Sequence, residues 1–74
     1  MNDIAISVAP SSHSAATIAQ FCTAHNISRT HFYELIKLGK GPRHMKVGRR
    51  TLISAEAAAE WRLRMERETA EAAQ

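Results

Sequence analysis

The 74-residue sequence has very little cysteine: Cys22 stands alone, which excludes an internal disulfide. Residues 1–10 carry Asp3 and no basic cluster, so they do not resemble a secretory leader. No apolar run approaches the roughly 20 residues that a membrane-spanning helix needs. We therefore expect a cytoplasmic protein in a reducing compartment, with no membrane partner.

The chain also offers little material for an active site or a metal site. A single domain of this length buries only about 60% of its unfolded surface, which leaves little room for an enclosing cleft. Cys22 and His25 are three residues apart, but two ligands do not complete a zinc site. The other histidines, His13, His31 and His44, show no ligand spacing. We expect no enzyme activity, no cofactor and no metal.

Charge is unevenly distributed along the sequence. Residues 29–50 hold seven basic residues and one acidic residue, whereas residues 55–74 hold three basic and five acidic residues. A focused basic segment raises the local potential toward a polyanion such as nucleic acid. The alternative is a solvated positive face with no partner.

Residues 1–16 read as an N-terminal arm. Ile4, Ile6 and Val8 alternate as in a short strand, and a Pro/Ser-rich linker follows at residues 10–14. The folded domain is predicted to span residues 17–72.

Two short helices are predicted next. Thr17 and Gln20 form a capping box, and the first helix is expected to end at His25 or Asn26. Its apolar face carries Ile18, Phe21, Cys22 and His25. Ser28 caps a second helix that ends before Gly39. Its buried face carries Phe32, Leu35 and Ile36. Two short helices joined by a tight turn predict a helix-turn-helix.

A β-hairpin is predicted after the second helix. Gly48 suits the first central position of a type II′ turn between residues 43–47 and 50–53. We expect three apolar side chains to face the core: Met45, Val47 and Leu52. Three basic side chains are expected at or near the tip: Lys46, Arg49 and Arg50. This hairpin would be the wing of a winged helix-turn-helix.

A long last helix completes the prediction. Ser54 is its N-cap, and Ala58, Trp61 and Met65 form the stripe that closes the core. A second, weaker apolar stripe carries Ala59, Leu63 and Ala70. The predicted fold is mainly α, with about three helices and a β-hairpin wing.

The predicted second helix begins with residue types that suit the major groove of DNA. Arg29 can donate two bonds to guanine, and Thr30 offers a hydroxyl and a methyl group. The predicted base-reading group is Ser28, Arg29, Thr30 and His31. Phosphate contacts are predicted for Tyr33 and Lys37, and wing contacts to phosphate or the minor groove for Lys46, Arg49 and Arg50. Taken singly, each side chain has an ordinary surface role; together they favour binding to double-stranded DNA.

Three motifs also resemble a known family. They are Ile27-Ser28-Arg29 leading into Phe32-Tyr33, Lys46-Val47-Gly48-Arg49-Arg50, and the distal Trp61. Over residues 17–65 the chain resembles the excisionases, or recombination directionality factors, which belong to the MerR-like winged helix-turn-helix group. Such proteins usually carry an aliphatic residue where this chain has His25.

The resemblance implies a bacterial, nucleoid-associated protein of a mobile genetic element. Its members bind tandem sites beside an attachment site, bend that DNA and favour excision by a separate integrase. The implied partners are double-stranded DNA, a tyrosine-type integrase and further copies of the chain on DNA. AlpA-like transcriptional regulators share the fold and the motifs, so transcription regulation is one alternative. A protein-interaction module that uses the last helix is another.

Overall fold

The computed structural model describes residues 14–73, so the strand expected at Ile4–Val8 and most of the linker lie outside the described residues. The described part is a mainly α winged helix-turn-helix, as predicted. Its elements are β1 (Ala15–Thr17), α1 (Ile18–His25), α2 (Arg29–Lys37), β2 (Met45–Val47), β3 (Arg50–Ser54) and α3 (Ala55–Ala72). No helix in residues 14–73 combines the length and the apolar character needed to cross a membrane.

The helix-turn-helix is fixed by local capping. Thr17 Oγ1 accepts from the Gln20 amide at 3.1 Å, and Gln20 Oε1 accepts from the Thr17 amide at 3.0 Å. Asn26 ends α1 in the left-handed conformation, with φ 58°, and Ser28 Oγ accepts from the His31 amide at 3.0 Å. The predicted capping box, C-cap and second N-cap are all confirmed.

The sheet has an additional strand that the sequence analysis did not predict. Its order is β1-β3-β2 and both pairings are antiparallel, with Ala16 opposite Ile53. The Ala55 amide also donates to the Ser14 carbonyl at 2.8 Å. Residues 15 and 16, which the prediction placed in the arm, therefore pair with the wing and anchor the start of α1.

The wing turn has the predicted geometry. Gly48 has a φ of 62°, whereas Arg49 is not among the positive-φ residues of the described chain. A positive φ at the first central position alone defines a type II′ turn, whose twist matches that of the flanking strands. Val47 pairs with Arg50 directly across the turn.

The predicted inward face of the wing is wrong. Met45 and Val47 are 41% and 53% exposed, and Leu52, opposite Met45, is only half-buried, whereas Ile53 is 1% exposed. Because successive strand residues point to opposite sides, Leu52 and Ile53 cannot both face the core. Ile53 occupies the core, so the face that carries Met45, Val47 and Leu52 is turned outward.

A compact core joins all the helices to β3. Phe21 meets Phe32 edge-on at 5.7 Å and Trp61 at 5.3 Å between ring centroids. The buried residues are Phe21, Cys22, Phe32, Ile53, Ala57, Ala58 and Trp61. Met65 packs against this cluster, as predicted for its stripe. Because the aromatic residues come from three helices, they set the position of α2 relative to α1 and α3.

His25 fills a half-buried position at the edge of this core. Its ring stacks on Phe21 at 4.1 Å, and Arg62 Nη1 lies 3.0 Å from His25 Nε2. Since the guanidinium only donates, Nε2 is the acceptor, and the Nδ1 proton is donated to the Phe21 carbonyl at 2.8 Å. Both ring nitrogens are thus satisfied, which explains how a polar side chain stands where the resembling family has an aliphatic one.

The loop between α2 and β2 is held onto α3. Trp61 Nε1 donates to the Lys40 carbonyl at 2.9 Å, and Arg64 Nη2 donates to the Gly41 carbonyl at 2.6 Å. A Cβ at Gly41 would displace the end of the Ile36 side chain, so the absence of a side chain lets the loop pack closely on α2. The loop therefore fixes the wing relative to α2.

Candidate nucleic-acid interface

The first turn of α2 presents the predicted base-reading residues on the surface. Ser28, Arg29, Thr30 and His31 are all exposed. The Ser28 hydroxyl already caps α2, and His31 Nδ1 lies 3.8 Å from Glu34 Oε1. Within residues 14–73, no side-chain hydrogen bond or ion pair engages Arg29 or Thr30. These two side chains are therefore the ones available to a ligand without breaking an internal contact.

Three elements enclose an open groove of about 320 Å³ beside this turn. The groove is lined by Thr17, the N-cap of α1, by Ile18 and Ala19 from its first turn, by Arg29 and Tyr33 from α2, and by Arg50 and Thr51 from β3. Two guanidinium groups thus share a surface with a phenol and with the positive end of a helix dipole. This combination suits a phosphate-type anion.

Tyr33 packs its ring against the ring of Phe32. Its side chain is 51% exposed, and its ring stands edge-on to the ring of Phe32, 5.5 Å away at 83°. Phe32 is 1% exposed and anchors α2 in the core. The ring of Tyr33 is therefore packed on one side while the residue remains open to a partner.

The other predicted residues lie outside this groove. Lys37 is exposed in the last turn of α2, and Arg49 is exposed at the wing tip. Lys46 is exposed on β2, where its Nζ donates to Thr51 Oγ1 at 3.3 Å. The structure thus brings Arg29, Tyr33 and Arg50 together.

The seven basic residues of segment 29–50 fall into two sets. Arg43 Nε lies 2.7 Å from Glu60 Oε1, and Lys40 Nζ lies 4.0 Å from Glu68 Oε1, so both pair with α3. The remaining five have no acidic partner within 4.0 Å among residues 14–73: Arg29, Lys37, Lys46, Arg49 and Arg50. These five are the basic residues that the sequence analysis placed in the DNA-binding site.

The Arg43–Glu60 pair also shifts an ionisation. The hydrogen bond and the charge of Arg43 lower the pKa of Glu60 below its usual range. Glu60 is thus a carboxylate at neutral pH and offsets the charge of Arg43. Both groups are solvent-exposed, so the pair contributes little to stability.

Cys22 has no role on this surface. It is buried, and burial raises the pKa of its thiol more than the charge of Arg29 lowers it. Its sulfur lies 3.9 Å from the Ser28 carbonyl, beneath the first turn of α2. The thiol is therefore a packing group and not a reactive nucleophile. No group of three or more potential ligands in the described residues is arranged to hold a metal ion.

Sequence reasoning missed two parts of this surface. Thr17 and Ala19 line the groove because β1 pairs with β3 and brings the start of α1 beside Arg50. The capping box at Thr17 located that helix end but gave no sign of its neighbour. The pairing of Arg43 with Glu60 joins residues 17 positions apart, and no local pattern predicts it.

Comparison of the chain with protein-family models, curated proteins and solved structures finds no match. The resemblance to excisionases therefore rests on the quoted motifs alone.

Proposed function

We propose that this protein binds double-stranded DNA and acts as an excisionase, with α2 in the major groove and the wing beside it. One observation carries the DNA-binding part: Arg29, Tyr33 and Arg50, from two separate elements, line one groove at the start of α1. Tyr33 and Arg50 in this groove suit a phosphate of the DNA backbone, and Arg29 lies beside them on the first turn of α2. A duplex bound there would meet the first turn of α2.

The roles of the individual residues follow from their places. Arg29 and Thr30, which have no internal partner in residues 14–73, contact base edges. Ser28 and His31 flank them on the same turn. Tyr33 and Lys37 contact phosphates and fix the register of α2 on the duplex. The wing residues Lys46, Arg49 and Arg50 contact phosphates or the adjacent minor groove.

The separation of charges supports the same orientation. Glu60 and Glu68 lie on α3, where they neutralise Arg43 and Lys40. Within segment 29–50, the basic residues without an acidic partner among residues 14–73 thus lie on α2 and the wing. A polyanion is attracted to that side, whereas the acidic α3 is repelled by the duplex.

The excisionase role adds assembly on DNA. A single module of this size buries about 600–1,000 Å² on DNA, which is little for tight specific binding. Several copies on adjacent sites share the binding energy, and basic wings in successive grooves bend the duplex. Leu63, 59% exposed on α3, and Ala70, also exposed, provide a surface for contact between copies. A bent site would then favour excision by a tyrosine-type integrase.

The exposed Leu63 stripe also favours a second candidate, a protein-interaction module without DNA binding. Duplex binding distinguishes the two functions. We expect binding that weakens steeply as salt rises, because basic residues release counterions from phosphates. Equal, weak binding at all salt concentrations would support the interaction module.

The architectural role needs its own experiment. We expect gel-shift titrations to show cooperative filling of tandem sites, and circular-permutation assays to show bending that increases with each copy. A recombination assay with a cognate integrase should then show excision that depends on the protein. Independent filling without added bending would contradict the excisionase and favour an AlpA-like regulator. In these binding assays Arg67→Ala serves as the control for a general loss of positive charge, because it removes an exposed arginine of α3 outside the proposed interface.

A further inference from the structure

A second basic cavity lies at the far end of α2 from Arg29. It has a volume of about 550 Å³ and is lined by Ile36, Gly39, Gly41 and Pro42. Three basic side chains line its wall: Arg43, His44 and Arg64. None of these residues belongs to the predicted DNA-binding set.

Arg64 carries a buried donor with no acceptor. Its Nη2 donates to the Gly41 carbonyl at 2.6 Å, which fixes the guanidinium against the loop. Its Nε is buried and makes no hydrogen bond among the described residues, and none of the ion pairs there involves Arg64. Buried unpaired donors are rare in native proteins, and an N–H on a charged group calls for an anionic acceptor.

The neighbouring groups are positioned to complete a site. His44 Nδ1 donates to the Pro42 carbonyl at 3.4 Å, so its Nε2 can donate to an anion in the imidazolium form. Arg43 Nε donates to Glu60 Oε1, and the charge of Arg64 acts on the same carboxylate less strongly than that of Arg43. The cavity therefore combines the Arg64 guanidinium, which makes no ion pair among residues 14–73, with the side chains of His44 and Arg43.

This cavity and the candidate groove have a common neighbour. A smaller cavity of about 140 Å³ lies between them. It shares Ile36 and His44 with the Arg64 cavity, and it shares Ile18, Tyr33 and Thr51 with the candidate groove. The three cavities thus lie in a row beside α2, called here the furrow, with basic side chains lining the first and the last. From Arg29 to Ile36 the helix rises about 10 Å, close to the axial length of about three base pairs.

We propose that the Arg64 cavity binds a phosphate group, and that on DNA this group is a backbone phosphodiester at the far end of the furrow. The inference rests on the proposed function for the source of the phosphate, but the chemistry of the cavity suits any phosphate anion. In this proposal Arg64, which lies on α3 and donates to the loop at Gly41, also contacts the DNA phosphate.

The test follows the Nε–H resonance of Arg64 by NMR in the full chain. We expect a cognate duplex to shift this resonance, while the Nε–H of exposed Arg67 stays unchanged. Inorganic phosphate alone should cause a smaller shift at the same atom. A duplex with methylphosphonates at successive positions should lose the Arg64 shift when the neutral linkage occupies the cavity.

Arg64→Gln gives an independent measurement. We expect the slope of log K against log salt to fall by about 0.9 relative to the wild type, the effect of one phosphate contact. Arg67→Gln, the same charge change on the same helix, should keep the wild-type slope. If Arg64→Gln disturbs the loop after α2, the Arg64 Nε–H resonance of the wild-type protein still tests the proposal.

The outcomes separate this inference from the proposed function. If the wild type binds duplex with steep salt dependence but Arg64 Nε–H does not shift, the cavity is not a phosphate site and the DNA-binding proposal stands. If no duplex binds but phosphate shifts Arg64 alone, a free phosphate is the ligand and the DNA-binding proposal fails. Equal shifts at Arg64 and Arg67 would indicate an unspecific ionic effect and overturn the site.

Discussion

Replacing Arg49 and Arg50 together with alanine removes two of the five basic residues that have no acidic partner within residues 14–73. Both side chains are exposed, and the type II′ turn depends on Gly48, so the substitution should leave the fold intact. If each cation contacts one phosphate, the slope of log K against log salt should fall by about 1.8. At about 0.1 M salt this corresponds to a loss of about 60-fold in affinity, and at about 0.2 M to about 20-fold.

The assay is a fluorescence-anisotropy titration of a labelled duplex at several salt concentrations. Because phosphate contacts carry no sequence information, the loss should be the same on cognate and random duplexes. The matched control is Lys40→Gln/Glu68→Gln, which removes a basic residue of the same segment together with its partner on α3. That double variant should keep the wild-type slope.

Two results would refute the reasoning. An unchanged slope for the Arg49→Ala/Arg50→Ala variant means that the wing does not contact phosphate. A control variant that loses as much slope as the wing variant means that the pairing with α3 does not determine which basic residues meet DNA. The single variants refine the interpretation, because Arg50 lines the groove and Arg49 does not.

Three further predictions concern single side chains. Arg29→Ala should cost about 1–3 kcal/mol on the cognate duplex and much less on random DNA, whereas equal losses would make Arg29 a phosphate contact. Glu60 should titrate below its usual range by NMR, and Arg43→Gln should return it to that range. The lowered pKa of Glu60 adds stability that is present at neutral pH and is lost as the pH falls through the Glu60 titration. In Arg43→Gln, the free energy of unfolding should therefore fall slightly less between neutral and acid pH. Native Cys22 should react slowly with iodoacetamide near neutral pH and quickly after unfolding, since burial raises its pKa; fast native alkylation would show that the core opens there.

The features that sequence reasoning predicted correctly depend on local backbone geometry. The hydroxyls of Thr17 and Ser28 cap helices because each reaches an amide three residues away. Asn26 and Gly48 adopt positive φ where a helix ends and where a hairpin turns. Such signals lie within a few residues of sequence, so composition and spacing are enough to locate them.

The features that were missed depend on partners far along the chain. Strand β1 has only three residues, Ala15–Thr17, with no alternating apolar pattern, and it exists because β3 lies alongside it. The orientation of the wing could not be predicted because Leu52 and Ile53 are both apolar and adjacent. Which of them is buried depends on how the hairpin meets Phe21 and Phe32. Because Ile53 is buried, Leu52 and its cross-strand partner Met45 lie on the outer face, and Met45 is exposed.

The acidic last helix determines which residues of the basic segment have an acidic partner. The loop after α2 is attached to α3 through Trp61 and Arg64, so the basic residues nearest to it are also nearest to the glutamates of α3. Lys40 and Arg43 are paired there, while the first turn of α2 and the wing tip lie beyond the reach of those carboxylates. The fold thus converts a segment that is basic along its length into a surface that is basic on one side. On the proposed function, that asymmetry orients the protein on DNA before any specific contact forms.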